Sequence, residues 1–140
     1  MVYLAQTDTT VGFLSKDAKL LNAIKNRAAD KPCIVCAAAF GELNTRVPLK
    51  HKNLVRRAKK TTFILKNGFS FRLIKDGAHA AFLRKTGWLY STSANITGGA
   101  FDVDFAKSKA DIVIEDDRGL YESKPSMILK LGNKRVKKVR

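Results

Sequence analysis

The chain has 140 residues, 45% hydrophobic and 28% charged, which suits one domain with a buried core over 1-140 and excludes a disordered or low-complexity polypeptide. No apolar run approaches a membrane span, and Met1 to Asp8 lacks the basic start and apolar core of a signal peptide, so no membrane partner and a cytoplasmic location are expected. The net charge of +15 is uneven: Leu43 to Lys60 and Lys124 to Arg140 each carry seven basic residues and no acidic one, a field that attracts RNA or nucleotide phosphates.

Val2 to Ala5 reads as a first strand, followed by the hydroxyl-rich stretch Gln6 to Gly12, whose glycine can take an unusual backbone angle. Ser15 or Asp17 can cap a helix from Ala18 to about Ala29, with Leu21, Ile24 and Ala28 on its apolar face and Pro32 as its stop. Cys33 to Ala38 reads as a buried strand, and Phe40 to Thr45 and Leu49 to Lys59 as helices around Pro48. Thr61 to Lys66 and Phe69 to Ile74, joined by Asn67-Gly68, read as a two-residue hairpin. In that register Phe63 faces Arg72, and Arg72 shares a sheet face with Thr61 rather than Thr62. A helix from Asp76 to Thr86 closes at Gly87, and Trp88 to Tyr90 is the end of the next strand. Asp104 to Lys109 forms a short helix, Ile112 to Ile114 a strand, and Met127 to Leu131 with Arg135 to Val139 a closing hairpin at Gly132-Asn133. The expected class is mixed α/β, an open twisted sheet of parallel and antiparallel strands with packed helices.

Three features bear on chemistry. Ser91 to Asn95, after the aromatic strand end, offers short hydroxyls and exposed backbone N–H groups to phosphate or carboxylate oxygens, although the same residues also dominate ordinary turns. The CxxC spacing of Cys33 and Cys36 invites a zinc or redox site, but the two alternate across a strand and no Cys or His pair completes it; they read as buried, reduced thiols. No P-loop or Rossmann glycine pattern is present, so any nucleotide would be held otherwise.

Four pieces in order, Thr7 to Gly12 (TDTTVG), Lys25 to Arg27 (KNR) with Lys31-Pro32, Thr61 to Leu65 (TTFIL) and Ser91 to Asn95 (STSAN), resemble the YrdC-like family, the threonylcarbamoyl-AMP synthases. The resemblance runs over nearly the whole chain. It implies a YrdC-like open sheet with a basic concave surface, and a nucleotidyltransferase that forms threonylcarbamoyl-AMP and pyrophosphate from L-threonine, bicarbonate and ATP. The product would pass to a threonylcarbamoyl transferase complex that modifies tRNA beside the anticodon. Thr7 and Ser126 would touch L-threonine and Arg72 its carboxylate. Lys25, Arg27, Thr62, Ser93 and Asn95 would meet ATP, and Arg140 stands where the family often has an arginine that reaches the nucleotide.

The chain departs from the family pattern at Gln6 (for proline), Val11 (for an aromatic), Ala58-Lys59-Lys60 (for Pro-Gly-Pro) and after Arg72, where no proline follows. The chemistry implied is attack of the carbamate oxygen of N-carboxythreonine on the α-phosphorus, stabilised by fixed cations, chiefly Lys25 and Arg27. The nucleophile is already anionic, so no histidine base is needed. This agrees with His51 in a basic, exposed stretch and His79 in a helix remote in sequence from the motifs. Mg²⁺ would arrive with ATP. Glu115-Asp116-Asp117 reads either as its ligands or as a solvated strand end, with no resident metal site expected. The other functional reading is a non-catalytic protein binding tRNA or double-stranded RNA on the same basic concave fold. The set Lys25, Arg27, Ser93 and Asn95 discriminates, because RNA binding alone does not require four particular residues from two distant segments.

Overall fold

The β-prone runs assemble into a single sheet in the computed structural model, which describes all 140 residues. In chain order the elements are β1 (Tyr3–Gln6), β2 (Val11–Ser15), α1 (Ala18–Ile24), β3 (Ile34–Ala37), α2 (Lys52–Arg57), β4 (Thr61–Ile64), β5 (Ser70–Leu73), α3 (Gly77–Thr86), β6 (Leu89–Ser93), α4 (Val103–Lys109), β7 (Ile112–Ile114), β8 (Met127–Leu131) and β9 (Val136–Lys138). The sheet order is β7-β1-β2-β6-β3-β5-β4-β8-β9. The β1–β7, β3–β5 and β4–β8 pairs are parallel and the others antiparallel, the mixed α/β sheet expected. No helix is long and apolar enough to cross a membrane.

Side-chain alternation gives the sheet two differently used faces. Val35, Phe71 and Phe63 are in register on one face and pack under Leu43, Val47 and Val55 from the segment between β3 and β4. The other face carries Leu14, Cys36 and Leu89, covered by Ala80 and Leu83 of α3. Along that face the sequence turns polar, with Ser91 beside Leu14 and Arg72 beside Cys36. Ser91 and Arg72 are buried polar side chains on that face.

Several expectations are corrected. Val11 to Ser15 is a fully buried strand, β2, where only a hydroxyl-rich loop and a helix cap were expected. Gly12 lies within it without a positive φ. Its need is close approach, since a Cβ there would sit 3.0 Å from Thr92 O and 3.3 Å from the Thr7 methyl. The helix begins as expected, with the Asp17 carboxylate accepting from Lys19 N, but ends at Ile24 rather than Ala29. Phe40–Leu43 and Leu49–His51 are 3₁₀ turns, and only Lys52–Arg57 of that region is α-helical. β6 continues through Ser91, Thr92 and Ser93 between β2 and β3, and Ala94 N donates to Val11 O. The ladder therefore takes up backbone groups that the sequence suggested were free for phosphate.

The hairpin also differs. Phe63 pairs with Phe71 and Ile64 with Ser70, and Leu65 N donates to Phe69 O. The loop has three residues, Lys66 to Gly68, with Gly68 N donating to Leu65 O and Gly68 at φ 88°. The one-residue slip puts Arg72 on the face of Thr62, not of Thr61.

His51 is buried, not exposed, and its Nε2 donates to Gly132 O at 2.9 Å, tying the helical segment to the β8–β9 turn. His51→Ala is expected to lower unfolding free energy by about 2 kcal/mol, because it orphans a carbonyl and removes a packed ring. Urea denaturation checks this, and an unchanged midpoint would contradict it.

Candidate functional site

The end of α1 is where the site begins. Asn26 takes a left-handed φ of 53°, Asn26 N donates to Ala23 O and Arg27 N to Asn22 O. This is the paired bonding of a Schellman cap, which asparagine tolerates in place of glycine. The cap throws the Lys25 and Arg27 side chains off the helix. Asn22, fully buried, fixes the following turn by donating to Ala29 O and Lys31 O, and its Oδ1 accepts from the Cys33 thiol at 3.5 Å.

Lys25 is 5% exposed and reaches the STSAN segment. Its ammonium donates to Ser93 O at 3.0 Å, to Asn95 O, and more weakly to Asn95 Oδ1 at 3.3 Å. Thr97 Oγ1 returns a bond to Lys25 O at 2.6 Å. Lys25 is thus a clamp between α1 and the turn after β6. Burial, followed by the charges of Arg27 and Lys31, lowers its pKa from 10.5 to about 8. Between those values the unfolded chain holds a proton that the folded chain has released, so this group makes stability rise with pH from about 8 towards 10.5. Lys25→Met is expected to flatten that rise relative to the parent in urea titrations at stepped pH; parallel curves would contradict it.

The opposite wall is the turn from Thr7 to Thr10. Thr7 Oγ1 donates to Thr10 O at 2.6 Å and accepts from Thr9 N at 3.1 Å, a hydroxyl-closed turn. Arg118 straps this turn down, donating to Thr7 O at 3.0 Å and Gln6 O at 2.9 Å while held by the Asp116 carboxylate at 2.7 Å. Bonding to Arg118 holds the Asp116 carboxyl below its usual range.

The floor is Arg72, 6% exposed, whose guanidinium pairs with Asp8 and whose Nε has no partner. On the last side Thr62 Oγ1 and Ser126 Oγ lie 2.7 Å apart, and Arg140 Nε donates to Ser126 O at 3.0 Å. Arg140 is therefore docked by its side chain at the site.

These walls enclose a cavity of about 250 Å³. Of the residues expected at a site, Thr7, Arg27, Arg72, Ser93, Ser126 and Arg140 line it. Lys25, Thr62 and Asn95 do not line it, but each is joined to the cluster: Thr62 to Ser126, and Asn95 and Ser93 to Lys25. Sequence reasoning missed Asp8, Thr9, Thr10 and Arg118. The first three lie inside the Thr7 to Gly12 motif, while nothing in the acid-rich segment singled out Arg118. It also read Cys33 as buried. The thiol is half-buried, lines the cavity and lies 3.8 Å from Arg27; its partner Cys36 is fully buried, and both are free. Burial raises both thiols above their ordinary value.

His79 is buried in α3, and the charges of Asp8, Arg72 and Arg118 act on it. Burial pushes its pKa down to about 4; Asp8 pulls it up, and the two arginines lower it further. The ring is neutral near pH 7 and neither nitrogen has a partner. A group of that pKa is a weak base at neutral pH. No three His, Cys, Asp or Glu side chains come together to hold a metal ion. Of the acidic trio, Glu115 pairs with Lys107 at 3.1 Å and Asp116 with Arg118.

What the arrangement offers is a buried guanidinium, Arg72, paired with the Asp8 carboxylate, two further arginines, Arg27 and Arg140, and a set of short hydroxyls. Guanidinium groups and short hydroxyls are donors to carboxylate and phosphate oxygens.

No protein-family model matches the chain, and no curated protein matches it. Solved structures do share its fold. P. abyssi Sua5 complexed with L-threonine superposes with a TM-score of 0.79 at 19% identity, over 99% of this chain and 49% of that one. E. coli YciO gives 0.75 at 17% identity, over 99% and 82%. MTH1692 from Methanobacterium thermoautotrophicum gives 0.70 at 19% identity, over 99% and 79%. The chain spans about half the length of the Sua5 chains it matches.

Proposed function

We propose that the protein is an L-threonylcarbamoyladenylate synthase: the threonine amine and bicarbonate condense to the carbamate with loss of water, and the carbamate displaces pyrophosphate from ATP to give threonylcarbamoyl-AMP. The observation that carries this reading is the convergence of Thr7, Arg27, Arg72, Ser93, Ser126 and Arg140, from well-separated segments, on one cavity. The likeness to a Sua5 chain complexed with L-threonine supports it.

Arg72 receives the amino acid carboxylate through the donors that Asp8 leaves free, and the Thr7 and Ser126 hydroxyls orient the rest of the molecule. Arg27, with no carboxylate partner of its own, takes phosphate oxygens of the nucleotide, and Arg140 supports it from the far wall. Ser93 and Asn95, held by Lys25, complete the nucleotide side. As the carbamate oxygen attacks the α-phosphorus, negative charge spreads over the phosphoryl oxygens, and the preset cations stabilise it without reorganising. No proton leaves the nucleophile, so the neutral, buried His79 has no transfer to perform. Mg²⁺ held by the nucleotide phosphates and water would offset the charge of the pyrophosphate that leaves. A transferase complex acting on tRNA consumes the product.

Calorimetry tests the binding half of this reading. L-threonine and ATP are each expected to bind, with Arg72→Met removing threonine binding and sparing ATP. Equal loss of both ligands, or no heat from either in the parent protein, would contradict it.

A further inference from the structure

A second concavity of about 150 Å³ shares no lining residue with the cavity described above and has Asp8, the partner of Arg72, in its wall. It is walled by the segment that leaves α2 and enters β4, and by Lys75 and Asp76 after β5. Five cations line it: Arg56, Arg57, Lys59, Lys60 and Lys75. Its two carboxylates do little to neutralise them. Asp8 is turned inward to Arg72, and Asp76 meets only Lys59, at 3.8 Å, with both side chains about four-fifths exposed. Exposed pairs at that distance are weak. Arg57, Lys60 and Lys75 have no ion pair at all.

The backbone is arranged to keep this charge together. Lys60 is held at a left-handed φ of 51°, uncommon for a residue with a side chain, while Lys60 O accepts from Met127 N and Lys59 O from Thr61 Oγ1. The turn is thus pinned on both sides with its side chains outward. Where the family resemblance has a neutral Pro-Gly-Pro, this chain has Ala58 and two lysines.

Like charges crowded into one recess raise its positive potential and draw anions towards it. All five cations are exposed on long stems, with no buried donor aimed into the recess. That favours dense charge in series over a single tightly cradled ion. We propose that this recess is a second anion site, separate from the threonine and nucleotide cavity, that binds consecutive phosphate groups. Two sources carry that chemistry, a free polyphosphate chain and the backbone of an RNA. The recess would bind them whether or not the first cavity is that of a synthase.

The test uses the full chain, with tripolyphosphate and a short RNA duplex of arbitrary sequence as probes, over a series of salt concentrations. Arg57→Gln/Lys60→Gln is compared with the parent and with Lys19→Gln/Lys109→Gln, which removes the same charge from exposed positions on α1 and α4. Folding is checked by circular dichroism. The recess variant is expected to bind at least one probe tenfold or more weakly at low salt. For RNA the log–log salt slope should shrink by about 0.9 for each phosphate that is no longer neutralised. Weaker binding of one probe alone supports the site and identifies its source. The proposal is overturned if the parent binds neither probe, if the recess variant matches the parent, or if the control variant is weakened as much.

Discussion

Arg27→Ala is expected to slow threonine-dependent pyrophosphate release about a hundredfold, roughly 3 kcal/mol of transition-state stabilisation, while leaving the fold nearly as stable as before. The two halves of this expectation have one origin. Arg27 lines the cavity, its guanidinium meets nothing in the protein but the Cys33 sulfur at 3.8 Å, and its Nε has no partner at all. A cation so placed contributes little to folding and is free to meet charge that arrives with the nucleotide. Arg27→Lys should recover only part of the rate, because a point charge does not reproduce the fork. Lys25→Ala should slow the reaction by a similar factor through a different route. It releases Ser93 O and Asn95 O, so hydrogen exchange at residues 95-99 should accelerate in that variant and not in Arg27→Ala. An Arg27→Ala enzyme within threefold of the parent would remove this arginine from the reaction.

Asp8→Ala is expected to be the most destabilising single change at the site, by about 3 kcal/mol. Arg72 is almost wholly buried, and Asp8 is its one carboxylate partner. Truncating Asp8 leaves a guanidinium in a low-dielectric floor with Nε already unsatisfied. Removing both charges relieves that penalty, so Asp8→Ala/Arg72→Met should be more stable than Asp8→Ala alone, the non-additivity typical of a buried pair. Urea denaturation of the two single variants and the double variant measures it. Strict additivity would show that the pair carries no coupling.

The parts of this structure legible in the sequence are those fixed by local chemistry. Apolar runs between turn residues marked all the strands but β2, Asp17 marked the start of α1, Gly87 the end of α3, and the hydroxyl and basic motifs named most of the cavity wall. What was illegible depends on partners far along the chain. Asn26 ends α1 because its left-handed cap satisfies the last carbonyls, whereas the apolar face of Leu21, Ile24 and Ala28 argued for continuation. Asn67-Gly68 fits a two-residue turn as well as the last two positions of a three-residue one. The pairing of Phe63 with Phe71 over the core decides between them, and with it the face on which Arg72 lies. His51 looked exposed because its neighbours in sequence are basic, but its ring is placed by Gly132, far along the chain. Arg118 sits among acids that suggested a solvated loop, and its role follows only once β1 brings Gln6 and Thr7 beside it.

Under the proposed function this cavity couples an amino acid to a nucleotide. The most direct measurement is pyrophosphate release by the purified full chain with ATP and bicarbonate, with and without L-threonine. The proposed synthase releases pyrophosphate only when threonine and bicarbonate are both present, and threonylcarbamoyl-AMP accumulates in step with it. Release that ignores threonine, or none under any combination of the three substrates, would contradict the account.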